Sequence, residues 1–463
     1  MRRTLRIFFG VCGRCFDDVV SLQGLGIQTL GRRDTPCKIE SIFLLYQLYC
    51  TISVLPMMHD SFEQACEWIR SQQSVMLEEL TALCNLNSSS DHLAGLHSVA
   101  DFLEMRLQDL QVPCVRHNLP TWRWADDFGQ HQQSETGPML EWQSSNREGI
   151  RVLLAIHYDT VYPVGHSLQT CTMLSADRMR GPGVIDAKGG IVVLHWALLA
   201  GIRFGILAPI RWTVLLNPDE EIGSPASSSF WKQRAAQFDF AMLFEPAMAD
   251  GSLVDSRKGS GNFLWVVRGR SAHSGRNFAT GRNAVVAAAS IAVELHALNG
   301  KRDGVTINVG KIHGGGPLNV VPDLCTVRAN IRMEDAAQAD WIVEQLRLIE
   351  SRFRESHPDF QLEFEGGITS PPKPKSDMMT RWMRVAEQAA HDIGQSIAWK
   401  ASGGASDGNK LAALGLCNID TFGVEGDGLH SPNEWIQCES LVRKAILTLS
   451  MLRRIACDGI PNS

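Results

Sequence analysis

The chain has 463 residues, a formal net charge of -6, and 44% hydrophobic against 20% charged residues. That length exceeds what one hydrophobic core usually organises, so two domains are expected. The composition is that of a globular protein, and an acidic balance with no long Lys/Arg run argues against nucleic acid as a partner.

Residues 1–56 read as an atypical N-terminal extension, and the functional chain is expected to begin near Met57 or Met58. Cys12 and Cys15 form a single CxxC, but the other half of a zinc site is missing and the first histidine is His59. The pair therefore reads as a chance occurrence. The other ten cysteines show no regular framework, which fits reduced thiols of a cytoplasmic protein. The uncharged run "SIFLLYQLYCTISVLP" is shorter than the roughly 20 apolar residues of a membrane span, so no membrane association is expected.

From Met57 an amphipathic helix is predicted, then a second over "DHLAGLHSVADFLEMRLQDL". An apolar strand "GIRVLLAIHYD" leads to the Gly-rich loop "RMRGPGVIDAKGG" and the helix "GGIVVLHWALLAGI". Strand "IRWTVLLNPDEE", helix "SPASSSFWKQRAAQF" and strand "FDFAMLFEPA" follow. This alternation predicts a doubly wound α/β sheet, in which ligands sit beyond the carboxyl ends of the strands. From Gly259 the texture changes to strand, helix, strand, strand, helix, strand, the order of a small βαββαβ α+β domain. "TSPPKPKSD" reads as a hinge back to the first domain. The predicted organisation is a first domain built from residues 57–258 and 372–463, with a second domain, 259–371, inserted.

Three predicted strands end in metal-ligating or acidic residues: His157 and Asp159, then Asp219, Glu220 and Glu221, then Glu245. The Gly-rich loop adds Asp186 and the C-terminal part adds His430. Taken alone, Asp219 to Glu221 reads as a solvated turn. Adjacent carboxylates repel, and their collection at one rim of a sheet calls for cations to offset that repulsion.

The motifs "HYDTVYP", "GPGVIDAKGG", "NPDEEIGS", "FEPA", "SAHSG", "SGGASDG" and "DGLHSPNE" occur in that order. Together they resemble the M20 di-zinc metallopeptidases, most of all the glutamate carboxypeptidase branch. The resemblance runs from about residue 60 to the C-terminus. It implies a zinc-hydrolase catalytic domain with a mixed sheet and an inserted lid and dimerisation domain. It also implies two Zn2+ ions, with Co2+ or Mn2+ as substitutes. His157, Glu245 and a bridging Asp186 would serve one metal; Glu221, His430 and Asp186 would serve the other. Asp159 would accept the free ring N–H of His157. Glu220 would be the general base, taking a proton from the attacking water and passing it to the leaving amine. The resemblance implies a cis peptide after Asp186. It also implies that His273 reaches the partner subunit's site in a homodimer and donates to the oxyanion. Asn308 and Arg332 resemble residues that hold the substrate carboxylate, with Gly403 and Gly404 as backbone donors. Thr306 departs from the pattern: glutamate-releasing relatives tend to carry a basic residue there, so strict glutamate specificity is open.

The function expected is hydrolysis of the amide bond to a C-terminal amino acid, on a small peptide or N-acyl amino acid. The alternative is an N-acyl-amino-acid deacylase of the acetylornithine or succinyl-diaminopimelate kind. A non-catalytic relative would have lost a ligand or the base, and every such position is filled. A dinucleotide-dependent oxidoreductase is disfavoured because the loop lacks GxGxxG.

Overall fold

The computed structural model describes residues 21–23, 26–28 and 61–461. Cys12, Cys15 and most of the N-terminal extension lie outside them. In a first unit, Met1–Asp60, strands β1 (Ser21–Gln23) and β2 (Gly26–Gln28) pair antiparallel. Everything below concerns the second unit, Ser61–Ser463.

The first predicted helix is two: α1 over 61–71 and α2 over Gln73–Cys84, separated by a turn at residue 72. Phe62, Cys66, Ile69, Met76, Leu80 and Leu83 are their buried stripe. Helix α3, Leu93–Arg106, follows. The main sheet has six strands: β3 (Val115–His117), β6 (Met139–Gln143), β7 (Ile150–His157), β10 (Ile210–Asn217), β11 (Phe240–Leu243) and β18 (Asn418–Ile419). Their order is β18-β11-β7-β10-β6-β3. The four strands from β18 to β10 are parallel, β6 runs antiparallel to them, and β3, antiparallel to β6, returns to their direction.

Strand β7 shows why its sequence is an unbroken apolar run. Val152, Leu154 and Ile156 enter one cluster, with α4 (Lys188–Arg203), α8 (Asp377–His391) and α10 (Glu439–Asp458). Leu153 and Ala155 enter another on the opposite face, with Trp231 of α5 (Ser227–Arg234) and Leu411 of α9 (Asp407–Ala413). A strand covered on both faces has no polar side to show. Helix α4 sits tightly on the strand ends: a Cβ on Gly190 would lie 2.0 Å from the Phe244 carbonyl oxygen. This close approach places the segment just before α4, including Asp186, at the rim of the sheet.

Residues 259–370 form a four-stranded antiparallel sheet with a core of its own. The strands are β13 (Gly259–Arg268), β14 (Thr306–Gly314), β15 (Leu324–Met333) and β16 (Gln361–Ser370), in the order β14-β15-β13-β16. Helices α6 (Ala284–Ala297) and α7 (Ala336–Ser356) pack on it, in the predicted chain order. Its other face meets a feature the sequence reading left unassigned. The hairpin of β4 (Trp122–Ala125) and β5 (His131–Ser134) packs Ala125 against Leu264 and Val266.

Smaller pairings complete the rim. Strands β8 (Thr172–Met173), β9 (Arg178–Arg180), β19 (Gly426–Asp427) and β20 (Trp435–Gln437) form a sheet in the order β19-β20-β9-β8. Strand β12 (Leu253–Arg257) pairs with β17 (Trp399–Ser402). The stretch read as a hinge is pinned: Lys373 is 3% exposed, and its Nζ donates to Asn418 at 2.7 Å and Asp420 at 2.8 Å. The eight cysteines of the described residues are free thiols. No helix among the described residues is long and apolar enough to cross a membrane.

Candidate metal centre

His157 is the last residue of β7, and Asp219 to Glu221 and Glu245 lie just past the ends of β10 and β11. The parallel pairing therefore delivers them to one rim. Asp186, reached through the loop before α4, stands between two histidines. Its Oδ1 is 3.2 Å from His157 Nε2 and its Oδ2 is 3.2 Å from His430 Nε2. Glu245 Oε2 is 3.8 Å from His157 Nε2, and Glu221 Oε2 is 3.3 Å from His430 Nε2. One carboxylate thus faces two imidazoles, and a second acid approaches the same Nε2 of each imidazole.

These separations fit metal ligands. Ligand atoms bonded to one tetrahedral zinc at about 2.1 Å stand about 3.4 Å apart. Ligand atoms of His157, Asp186 and Glu221 lie within 4.8 Å of one another. Glu221 Oε1 is buried with no hydrogen-bond partner, an orphan that calls for a cation. Burial and the Asp186 charge push the Glu221 carboxyl up to about 7. Burial raises Glu245 to about 8; His157 opposes that and Asp186 adds to it. Burial disfavours the His157 imidazolium, yet Asp159, Asp186 and Glu245 hold its pKa well above the usual range. The donor set of imidazoles and carboxylates without thiolate suits divalent zinc, cobalt or manganese.

The remaining acids have other work. Asp159 is fully buried and accepts from the backbone N–H of Glu220 and Glu221, both at 3.1 Å, and from Ser90 Oγ at 2.6 Å. His157 Nδ1 is 3.2 Å from Asp159 Oδ1 and 3.0 Å from the Asp159 carbonyl oxygen. Asp159 thereby fixes both the imidazole and the short Glu220–Ile222 turn. Asp219 points the other way, accepting from the N–H groups of Ala226 at 2.8 Å and Ser227 at 3.1 Å, at the start of α5. The Glu220 side chain makes no hydrogen bond or ion pair among the described residues. Burial, with the Glu245 charge, pushes its carboxyl well above the usual range. The Asp186–Ala187 peptide is cis.

His273 is exposed, and its Nδ1 accepts from Gly275 N–H at 3.1 Å and Arg276 N–H at 3.2 Å, which leaves Nε2 outward. No hydrogen bond or ion pair joins it to the cluster among the described residues. Asn308 on β14 lies opposite Asn330 on β15, and Arg332 Nε donates to Asn330 Oδ1 at 3.0 Å. Thr306 pairs with Arg332 in the same register. Gly403 and Gly404 are exposed, but the Gly404 N–H already donates to Ser402 Oγ at 3.2 Å.

Two residues at the centre escaped the sequence reading. Glu434, completely buried, accepts the N–H groups of Gly183 at 3.3 Å, Ile185 at 2.9 Å and Asp186 at 3.2 Å, and the Tyr162 hydroxyl. It holds the segment that presents Asp186. Asp407, paired with Lys410 at 2.8 Å and taking Asn217 Nδ2 at 2.7 Å, anchors the end of β10 from beneath. Glu434 closes the quoted motif "DGLHSPNE", which is the signal that could have found it.

Comparison with known proteins identifies the fold and the family. Carboxypeptidase G2 of Pseudomonas sp. (strain RS-16) is 24% identical over 397 residues, covering 82% of this chain and 89% of its own. The dipeptidase Dug1p of Saccharomyces cerevisiae superposes with a TM-score of 0.68 at 14% identity, over 85% of this chain and 98% of that one. The Bacillus subtilis YXEP protein, described as a dinuclear metal-binding peptidase, superposes with a TM-score of 0.60 at 16% identity, over 84% and 100%. At those identities the superpositions establish a shared mixed α/β fold. The model of peptidase family M20/M25/M40 matches residues 153–454, well over half of the chain and every residue of the cluster, and the protein belongs to that family of metal-dependent hydrolases.

Proposed function

We propose that this chain is a two-metal exopeptidase that releases a C-terminal amino acid from a short peptide or N-acyl amino acid. The observation that carries the reading is Asp186 with one oxygen toward each of two histidines, each histidine backed by a further acid. His157, Asp186 and Glu245 would hold one divalent ion, and His430, Asp186 and Glu221 the other, with zinc as the ion the donor set suits best. Such ions supply Lewis acidity at the scissile carbonyl and lower the pKa of a water toward neutrality. The unpartnered Glu220 takes the proton of the attacking water and delivers it to the leaving nitrogen. Asp159 keeps the His157 ring and the Glu220 backbone in register while the proton moves.

In this reading residues 57–258 and 372–463 are the catalytic domain and 259–371 the lid and dimerisation domain. The lid presents Val286 and Val293 of α6, 67% and 69% exposed, and Phe278, 64% exposed, an apolar surface suited to a second copy. His273 would then reach the partner subunit's site and donate to the developing oxyanion from its outward Nε2. Asn308, Arg332 and the backbone of Gly403 would hold the substrate carboxylate.

The test is amino-acid release from dipeptides, N-acyl amino acids and benzoyl-glutamate, before and after chelation. Chelation should abolish turnover and zinc should restore it. Glu220→Ala should lower kcat about 1000-fold while metal content stays near wild type. Loss of both ions in that variant would contradict the assignment of the base. Light scattering should give a dimer, and a fully active monomer would defeat the role of His273.

A further inference from the structure

A cavity of about 560 Å3 opens beside the His430 loop, lined in part by Arg178, Arg180, Trp435, Ser431, Asn433 and Asp427. Its wall residues Asn433 and Trp435 flank Glu434, which accepts the Asp186 N–H at 3.2 Å, and Ser431 follows His430, so the cavity adjoins the segments that present two of the candidate ligands. Arg178 and Arg180 sit two apart on β9 and therefore on one face, with Met179 buried between them on the other. Trp435 lies directly across from Arg180 in the pairing of β9 with β20. The Arg178 guanidinium stacks over the Trp435 ring at 4.2 Å from its centroid. Neither guanidinium group has an ion-pair or hydrogen-bond partner among the described residues, and Arg180 Nε is buried without one. Asp427, the acid in the wall, is turned to the Gly428 N–H at 2.7 Å.

Two oriented guanidinium groups with unused donors, over an aromatic floor, form a receptor for a carboxylate. From this geometry we infer a subsite for an anionic acyl group: Arg178 and Arg180 bind a carboxylate on the part of the substrate that stays on the acyl side of the scissile bond. The inference rests on the amide-hydrolase reading and narrows its substrates to those with a dicarboxylic or acidic acyl portion. Arg332 on β15 serves the opposite end, the carboxylate of the leaving amino acid. The two positive sites would span the cluster.

The experiment uses metal-loaded full-length enzyme and two N-acyl derivatives of one amino acid. One carries a glutaryl group and the other a 4-carbamoylbutanoyl group, which differ only in a carboxylate against a carboxamide. Wild type should prefer the glutaryl substrate about tenfold in kcat/KM, and Arg180→Met should erase that preference through KM. Equal kcat/KM for the two substrates in wild type overturns the subsite and leaves the hydrolase reading intact. An unchanged preference in Arg180→Met also overturns it. Hydrolysis of neither substrate counts against the hydrolase reading, and calorimetric titration with glutarate then decides the subsite. Binding weakened about tenfold by Arg180→Met supports it; no binding, or binding indifferent to the variant, overturns it. Where turnover is present, competitive inhibition by glutarate supports the acyl-side assignment, and non-competitive inhibition defeats it in favour of a free anion.

Discussion

Glu434 offers a quantitative test of how Asp186 is held. The carboxylate divides its work between its two oxygens. Oε1 takes the N–H groups of Ile185 and Asp186, and Oε2 takes the N–H of Gly183 and the Tyr162 hydroxyl. Truncation to alanine leaves three buried N–H groups without an acceptor, at about 1–3 kcal/mol each. A loss of about 5 kcal/mol is a large part of the 5–15 kcal/mol that stabilises a typical domain, so Glu434→Ala is expected to accumulate poorly. Glu434→Gln is the informative variant. Its remaining oxygen can keep Ile185 and Asp186, while an NH2 group now faces the Gly183 donor, a cost of about 2 kcal/mol. Denaturant titration of the holoenzyme measures that cost. Because the displaced segment carries Asp186, competition with a chromogenic chelator should show metal affinity weakened about 10- to 100-fold, as for other residues that orient a ligand. Wild-type stability together with wild-type metal affinity in Glu434→Gln would refute the reasoning. Lost stability with unchanged affinity would confine Glu434 to the fold.

Away from the centre, His195 on α4 is completely buried between Glu79 at 2.8 Å and Asp109 at 2.9 Å. Burial lowers its pKa, but the two carboxylates outweigh that and raise it from 6.5 to about 9. A raised value means the stabilisation is complete below pH 6.5 and disappears as pH climbs through about 9, an amount of about 3 kcal/mol. His195→Gln should flatten that part of the stability curve in urea titrations; a variant as pH-sensitive as wild type would disprove the linkage. Gly190→Ala should cost about 1–3 kcal/mol and weaken metal binding, because its Cβ meets the Phe244 carbonyl at 2.0 Å. Gly316→Ala, with no atom within 4 Å of its Cβ, should stay within about 0.5 kcal/mol in the same urea titrations.

Much of the frame was legible because it rests on short-range pattern. Strands β7, β10 and β11 are apolar runs that end in polar residues, and parallel pairing alone carries their ends to one rim. The βαββαβ order of residues 259–370 was readable from alternating periodicity for the same reason. The hairpin of β4 and β5 was not, since in "TWRWADDFGQHQQS" the alternation is confined to Trp122-Arg123-Trp124 and the second strand, His131 to Ser134, has no apolar residue. It is held by distant partners, with Arg328 donating to the Ala125 carbonyl and Lys311 paired with Asp127. Lys373 likewise looked like part of a linker because its acid, Asp420, is 47 positions away.

The acids of the centre show where such reading stops. Asp159, Asp219 and Glu434 are the same kind of residue as Glu220, Glu221 and Glu245, and three of the six are consecutive. What separates them is the backbone around each. The first three accept two or more main-chain N–H bonds, which satisfies a buried carboxylate and commits it to holding a loop or a helix start. The side chains of the other three accept none among the described residues, and Glu221 Oε1 is buried with no partner at all. A fold keeps such uncompensated acids together only where something else neutralises them. The division between acids that hold the backbone and acids left free for chemistry is therefore a property of where the N–H groups point. In "NPDEEIGS" that division falls between two adjacent letters, Asp219 and Glu220, which no spacing rule could have distinguished.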